Sequence, residues 1–171
     1  MASNMNKVIA VLAGVVGIIA IIPVEVLSWW KADIDPILGN SFSHYIDAFA
    51  QYYTENAFNS VVAKSKLDDL YLGVGIAVIA GAAILVLAGI KASKAAALLG
   101  SILLLAGPIM FLIAHNGNDD LSTYASWFGS ENVFFGSYDG SLGKIAWYLN
   151  LGFFLPIIGA LIGFLSMKSN K

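Results

Sequence analysis

Four stretches of this chain stay apolar long enough to cross a lipid bilayer, and polar segments of unequal length separate them. The first reads from Val8 to Trp30, with an uninterrupted apolar part from Val8 to Val24 before Glu25 breaks it. The second runs from Leu70 to Ile90, the third from Ala95 to Ala114 and the fourth from Ile145 to Met167. About 20 consecutive apolar residues span the hydrocarbon as a helix. The pattern therefore predicts an all-α membrane protein. It is a four-transmembrane-helix bundle in a single membrane domain over 1–171, with spans of about 8–30, 70–90, 95–114 and 145–167. Runs without alternation exclude a β-barrel, so backbone groups in lipid are satisfied within helices. Only Lys91-Ala92-Ser93-Lys94 separates the second and third runs, which predicts a tight antiparallel hairpin. Lys7 ahead of the first run resembles a signal-peptide start, but no A-x-A-like site follows, and the run reads as an uncleaved anchor.

Two outer loops, about 31–69 and 115–144, carry the remaining pattern. In the first, Phe42, Tyr45, Ile46, Phe49, Tyr53 and Ala57 recur at three- and four-residue intervals, with His44, Asp47, Gln51 and Glu55 between them. That spacing predicts an amphipathic outer-loop helix over about 41–58, running on towards Ser65. Its polar face is acidic, so anionic lipid is not what holds it. The second loop shows no helical period and repeats aromatic-Gly-Ser at Trp127-Phe128-Gly129-Ser130 and Phe134-Phe135-Gly136-Ser137. Part of its aromatic content suits the headgroup level beside Trp29, Trp30, Trp147 and Tyr148. The rest predicts a contact surface.

Composition supports a bilayer setting. Hydrophobic residues make up 58% and charged residues 12% of 171, with a mean hydropathy of +0.79, where soluble domains carry about a quarter charged. The nine basic residues are all Lys, against eleven acids and a net charge of −2. Without a basic patch or an Arg fork, nucleic acid is excluded as a partner. Absence of Cys removes disulfides, thiolate metal sites and thiol nucleophiles. Lys7, Lys91, Lys94, Lys168 and Lys171 fall at the ends and the short turn, while all eleven acids belong to the long-loop side. A multi-pass cell-membrane protein with both termini cytoplasmic follows.

Close helix packing in lipid needs small residues at the contact. Ala10, Ala13, Gly14, Gly17 and Ala20 form one stripe, Gly73, Ala77, Gly81 and Ala88 another, and Gly159 to Gly163 a G-x-x-x-G pattern. Pro23, Pro108 and Pro156 each fall inside an apolar run and predict kinks.

Candidate chemistry is sparse. Glu25 is the one ionisable side chain well inside an apolar run, five residues before Trp30, where it can reach the interface or pair with Lys31. Asn150 suits an interhelical hydrogen bond. His44 and His115 lack a second His at helical spacing, and Asn116-Gly117-Asn118-Asp119-Asp120 lacks the spaced acids and closing Glu of a calcium loop. No Ser has a nearby base arrangement that would make it a nucleophile. No metal or cofactor is expected, and the binding candidates are Glu25, Trp127, Phe128, Phe134 and Phe135.

The plan of four spans, a tight inner hairpin and two larger outer loops resembles that of claudins and tetraspanins. The likeness is one of topology. Trp29 and Trp30 stand without the Gly-Leu-Trp and Cys pair of a claudin first loop, and no Cys-Cys-Gly precedes the fourth span as in tetraspanins. Such analogy does not establish function. The expected role is a non-catalytic structural or accessory subunit, assembling as a homo-oligomer or in a membrane complex through small-residue helix faces and aromatic outer loops. The alternative is a small channel or transporter for cations or protons, for which Glu25, the prolines and an acidic outer vestibule argue.

Overall fold

A computed structural model describes residues 4–49, 51–56, 61–66, 71–141 and 143–168, with backbone alone for 61–66. The element order is α1 (Asn4–Ile19), a short 3-10 turn (Glu25–Leu27), β1 (Trp30–Pro36), β2 (Phe42–Ile46), β3 (Gln51–Asn56), β4 (Val61–Lys66), α2 (Leu72–Lys91), α3 (Lys94–Asn116), α4 (Asp119–Trp127), β5 (Gly136–Gly140), β6 (Gly143–Leu149) and α5 (Leu151–Leu165). The six strands form one antiparallel sheet in the order β4-β3-β2-β1-β6-β5.

This architecture is α plus β and overturns the expected all-α four-transmembrane-helix bundle. Among the described residues two helices are long and apolar enough to cross a membrane: α2, with 20 residues, and α3, with 23. The expected first span stops early. Beyond Val16 the hydrogen bonds tighten to Ile21 N–H on Ile18 O and Ile22 N–H on Ile19 O, and Pro23, which has no N–H to offer, follows the end of the helix. The 16 residues of α1 reach only about 24 Å at 1.5 Å per residue. The expected fourth span is divided, because 143–149 is a strand and α5 holds 15 residues.

The expected amphipathic helix over 41–58 is two strands of a hairpin. Asp47 turns the chain: its Oδ1 accepts from Phe49 N at 2.8 Å and Gln51 N at 3.0 Å, which diverts the backbone from a helical path. Ala57 lies outside the described residues. The second loop contains α4 and β5 rather than irregular chain. Asn118 Oδ1 caps α4 by accepting from Leu121 N at 3.0 Å.

α1, α2, α3 and α5 pack side by side, each against two of the others. Gly81 and Gly100 bring α2 and α3 so close that a Cβ on Gly81 would stand 2.7 Å from Leu104 N and 2.8 Å from Gly100 O. Gly14 meets Ala82 O, and Gly159 meets Ala13 O, at 2.6 and 2.9 Å from the same ideal Cβ position. The small-residue stripes are thus spent inside the fold. Leu85, Leu104, Val78, Ala82 and Phe111 are fully buried between the helices. Large aliphatics cover the outward faces, with Ile76, Ile90, Leu98, Ile102, Ile109 and Ile113 all exposed.

The α2–α3 turn closes at Ala92, whose φ of 55° is left-handed, and Ser93 Oγ accepts from Ala96 N at 3.2 Å to start α3. Residues at the start of α1 and just after α5 meet near this turn. Asn6 Nδ2 donates to Lys168 O at 2.7 Å, and Asn6, Lys7, Ala92, Lys94 and Ser166 line one small cavity. The sheet stands at the other end of the helices. There Trp29, fully buried, donates Nε1–H to Ala20 O at 2.9 Å and packs against Phe111 and Phe153.

Candidate functional site

Strand alternation gives the sheet two unlike faces. Trp30, Ala32 and Ile34 on β1, with Ile145, Trp147 and Leu149 on β6, share one face. α4 and the segment after it cover that face. Tyr124 stands 6.4 Å from Trp30 and 6.3 Å from Trp147, and Phe128 stands 6.2 Å from Trp147 and 5.3 Å from Tyr138, ring centre to ring centre. His115 is buried between Trp30, Phe111 and Phe134, with Nε2 3.2 Å from Val133 O. Trp30 Nε1–H donates to the same carbonyl at 3.0 Å.

The opposite face is charged. Register places Lys31, Tyr45, Tyr53 and Tyr148 in one row, and Asp33, Ser43, Glu55 and Ala146 in the next. Glu25, on the 3-10 turn, lies over both rows. Lys31 Nζ stands 2.7 Å from Glu25 Oε1 and 2.7 Å from Asp33 Oδ1. Ser43 Oγ donates to Glu25 Oε1 at 3.2 Å, and Tyr148 OH donates to Asp33 Oδ2 at 2.7 Å. Asn150 fixes the turn, since its Nδ2 donates to Glu25 O at 3.0 Å and Ser28 Oγ at 2.9 Å.

Charge balance follows from these contacts. Burial opposes the ionised form of Glu25, yet the hydrogen bond and charge of Lys31 outweigh it and hold the carboxyl below the usual range. Glu55 is pushed up, first by burial and then by its hydrogen bond to Glu25 and the charge there. Burial pulls on Lys31 in the neutral direction, but Asp33 and Glu25 raise its pKa and keep it an ammonium. Tyr45 is pushed up to about 12 by burial and by Glu55, Glu25 and Asp47, and stays a phenol.

Above this cluster an open cavity of about 500 Å³ lies along the far ends of the strands, lined by Asp33, Asp35, Ser43, Tyr138, Asp139 and Lys144 among others. Lys144 pairs with Asp139 at 3.3 Å, both side chains largely exposed. Gly143 permits the sharp β5–β6 turn with φ +130°, where a side chain would also collide with Asp35 O.

No family model matches this chain, and no curated protein matches it.

The five candidates of the sequence fall in different places. Glu25 belongs to the charged cluster and not to a helix interior. Phe128 and Phe134 pack on Trp147, Tyr138 and His115, and so help to build the fold. Trp127, 73% exposed, and Phe135, 50% exposed, remain available for contact. Asp33, Glu55 and Tyr148 belong to the cluster although no local spacing in the sequence singles them out. What the sequence does show is period-two alternation on β1, where Lys31, Asp33 and Asp35 alternate with Trp30, Ala32 and Ile34. Pro108 and Pro156 do lie within helices, whereas Pro23 lies beyond the end of α1. Among the described residues no three His, Cys, Asp or Glu side chains gather to hold a metal. The carboxylates of Glu25 and Asp33 are already committed to Lys31, Ser43 and Tyr148, while Glu55 Oε2 is buried without a hydrogen-bond partner among the described residues. What this arrangement does chemically is to fasten the turn after α1 onto the sheet.

Proposed function

We propose that this chain is a non-catalytic, membrane-anchored assembly subunit. The α2–α3 hairpin crosses the bilayer twice, and the sheet forms a head on the outer surface. The observation that carries the reading is the split between the two halves of the molecule. Ile76, Ile79, Leu87, Leu98, Ile102 and Ile109 are exposed on the outward faces of the hairpin, while Lys31, Asp33, Asp35 and Asp139 occupy the head. Water does not tolerate so wide an aliphatic belt on one end of a small protein; lipid does. α1 and α5 pack beside the hairpin within the same apolar layer.

Orientation follows from charge. Lys7, Lys91, Lys94 and Lys168 cluster where the termini and the turn meet, with no acid among them, so that end lies in the cytoplasm. The interior between the helices is filled by Leu85, Leu104 and Phe111, which supports a scaffold rather than a conduit.

Single cysteines in this cysteine-free chain test the arrangement. Cys introduced at Ser137 is expected to react with an impermeant maleimide in intact cells, and Cys at Ser93 only after permeabilisation. The reverse labelling, or release of the protein from membranes by carbonate, overturns the reading.

A further inference from the structure

At the end away from the sheet, each of the four packed helices carries a lysine. Lys7 stands near the start of α1, Lys91 at the end of α2, Lys94 at the start of α3 and Lys168 just after α5. None of the eleven acids of the chain lies in 1–24, 70–118 or 140–171. Among the described residues no carboxylate stands within ion-pair distance of these lysines. The four ends are in contact. A Cβ on Gly89 would stand 2.6 Å from Lys7 O, and Asn6 Nδ2 donates to Lys168 O at 2.7 Å. Lys7, Ser93, Lys94 and Ser166 border the small cavity among them. At about 10 Å³ that cavity has no room for a phosphate, so an anion stands at its mouth.

Helix direction makes two of these charges unfavourable within the chain itself. Lys91, in the last turn of α2, has the sign that a helix dipole favours. Lys7 and Lys94 have the wrong sign, because each stands in a first turn, where the positive end of the helix repels a cation. Neither α1 nor α3 has an acid in its first turn, whereas α4, in the head, opens with Asp119 and Asp120. Two cations and two positive helix ends thus converge with no counter-charge from the chain. An anion from outside balances them.

The surroundings select a lipid as the source of that anion. Val8, Leu12, Ile90 and Leu98 are exposed next to these lysines, so acyl chains can lie along the helices while a phosphate meets the ammonium groups. Basic pockets between spanning helices on the cytoplasmic side are sites for anionic headgroups.

We propose that this end of the chain binds the phosphate groups of anionic phospholipids, with Lys7 and Lys94 as the main contacts and Lys91 and Lys168 at the rim. This inference rests on the reading of the chain as a membrane protein with this end in the cytoplasm, and it gives that end a lipid ligand. Lysines that served orientation alone would show no preference among lipids.

The test uses the full-length protein in detergent, with bound lipid counted by native mass spectrometry and unfolding followed on heating. The native chain is expected to retain phosphatidylglycerol several-fold better than phosphatidylcholine of the same chain length, and to unfold at a higher temperature with the anionic lipid. High salt should erase both effects. Lys7→Gln with Lys94→Gln should lose most of the preference, and Lys91→Gln with Lys168→Gln a smaller part. Lys144→Gln, which removes one charge from the head, should behave as the native chain does. Unfolding in phosphatidylcholine alone checks that each variant is folded. Equal retention of the two lipids by the native chain overturns the proposal, as does a native preference in folded Lys7→Gln/Lys94→Gln protein. Inorganic phosphate that raises the unfolding temperature as far as phosphatidylglycerol does overturns the choice of a lipid. These failures, in protein that resists carbonate extraction from native membranes, leave the membrane reading standing. Release by carbonate removes that reading and this inference with it.

Discussion

Lys31 Nζ stands 2.7 Å from Glu25 Oε1, and this ion pair ties the turn after α1 to the first strand of the sheet. The pair is largely but not fully shielded, with side chains 17% and 25% exposed. Removing one partner of a fully buried pair costs about 3–5 kcal/mol; solvent access at this depth reduces that to about 1–3 kcal/mol. Lys31→Met should therefore destabilise the head markedly, because Glu25, Asp33 and Glu55 then face one another without a cation. Glu25→Gln should cost less. Thermal unfolding of the two variants in detergent checks the order; equal midpoints would show that Lys31 does not balance the cluster.

The two glutamates of this cluster respond to pH in opposite senses. Glu25 sits below its ordinary range, so its stabilising effect is present above that range and fades as pH falls through its lowered pKa. Glu55 sits above the range, so its contribution is complete below about pH 4.3, the ordinary glutamate value, and fades as pH rises through its raised pKa. Glu55→Gln keeps a hydrogen-bond donor towards Glu25 and carries no titrating proton. The variant should unfold at a higher temperature than the native chain in neutral and alkaline buffer, and should lose the decline above the carboxylate range. Parallel curves for both proteins across pH 4–9 would show that Glu55 does not contribute to the pH dependence.

Helix contact makes a separate prediction. With a Cβ on Gly81 placed 2.7 Å from Leu104 N and 2.8 Å from Gly100 O, nothing flexible can yield. Overpacking of this kind costs about 1–3 kcal/mol and sometimes more. Gly81→Val should separate α2 from α3, lowering the unfolding temperature and broadening the gel-filtration peak. Gly129→Ala, at a φ of +72° with open space around its ideal Cβ, should affect stability through backbone strain alone and leave the peak sharp.

How much of this was legible follows from which signal dominated each segment. The two central apolar runs are helices to within a few residues, since nothing but a helix satisfies 20 unalternating apolar residues such as those of α2. The short turn between them was readable for the same reason. The sheet was hidden by its neighbours in sequence. Trp30–Pro36 alternates cleanly but follows an apolar run that absorbs Trp29 and Trp30, and Gly143–Leu149 passes into α5 with only Asn150 between. In 41–58, aromatic spacing mimicked a helix because the two strands of the hairpin each contribute a tyrosine; the rings of Tyr45 and Tyr53 stack across it at 4.7 Å. Of the site, Glu25 was visible as an acid in an apolar setting. Asp33, Glu55 and Tyr148 come together only through strand register, which no local spacing reveals.

Trp29 joins the two halves and gives the sharpest test of that junction. Its indole is fully buried against Phe111 and Phe153, and its Nε1–H reaches Ala20 O, a carbonyl that the end of α1 leaves without a helical partner. Trp29→Phe keeps much of the aromatic packing but strands that carbonyl in an apolar setting, at a cost of about 1–3 kcal/mol. Trp29→Ala adds loss of packing, with a total of about 3–5 kcal/mol. Both variants should release the head before the helices: proteolysis within the sheet should accelerate while the α2–α3 hairpin stays protected in the membrane. Uniform protection of head and hairpin in Trp29→Ala would mean that the sheet is held by other contacts and that this tryptophan merely fills space.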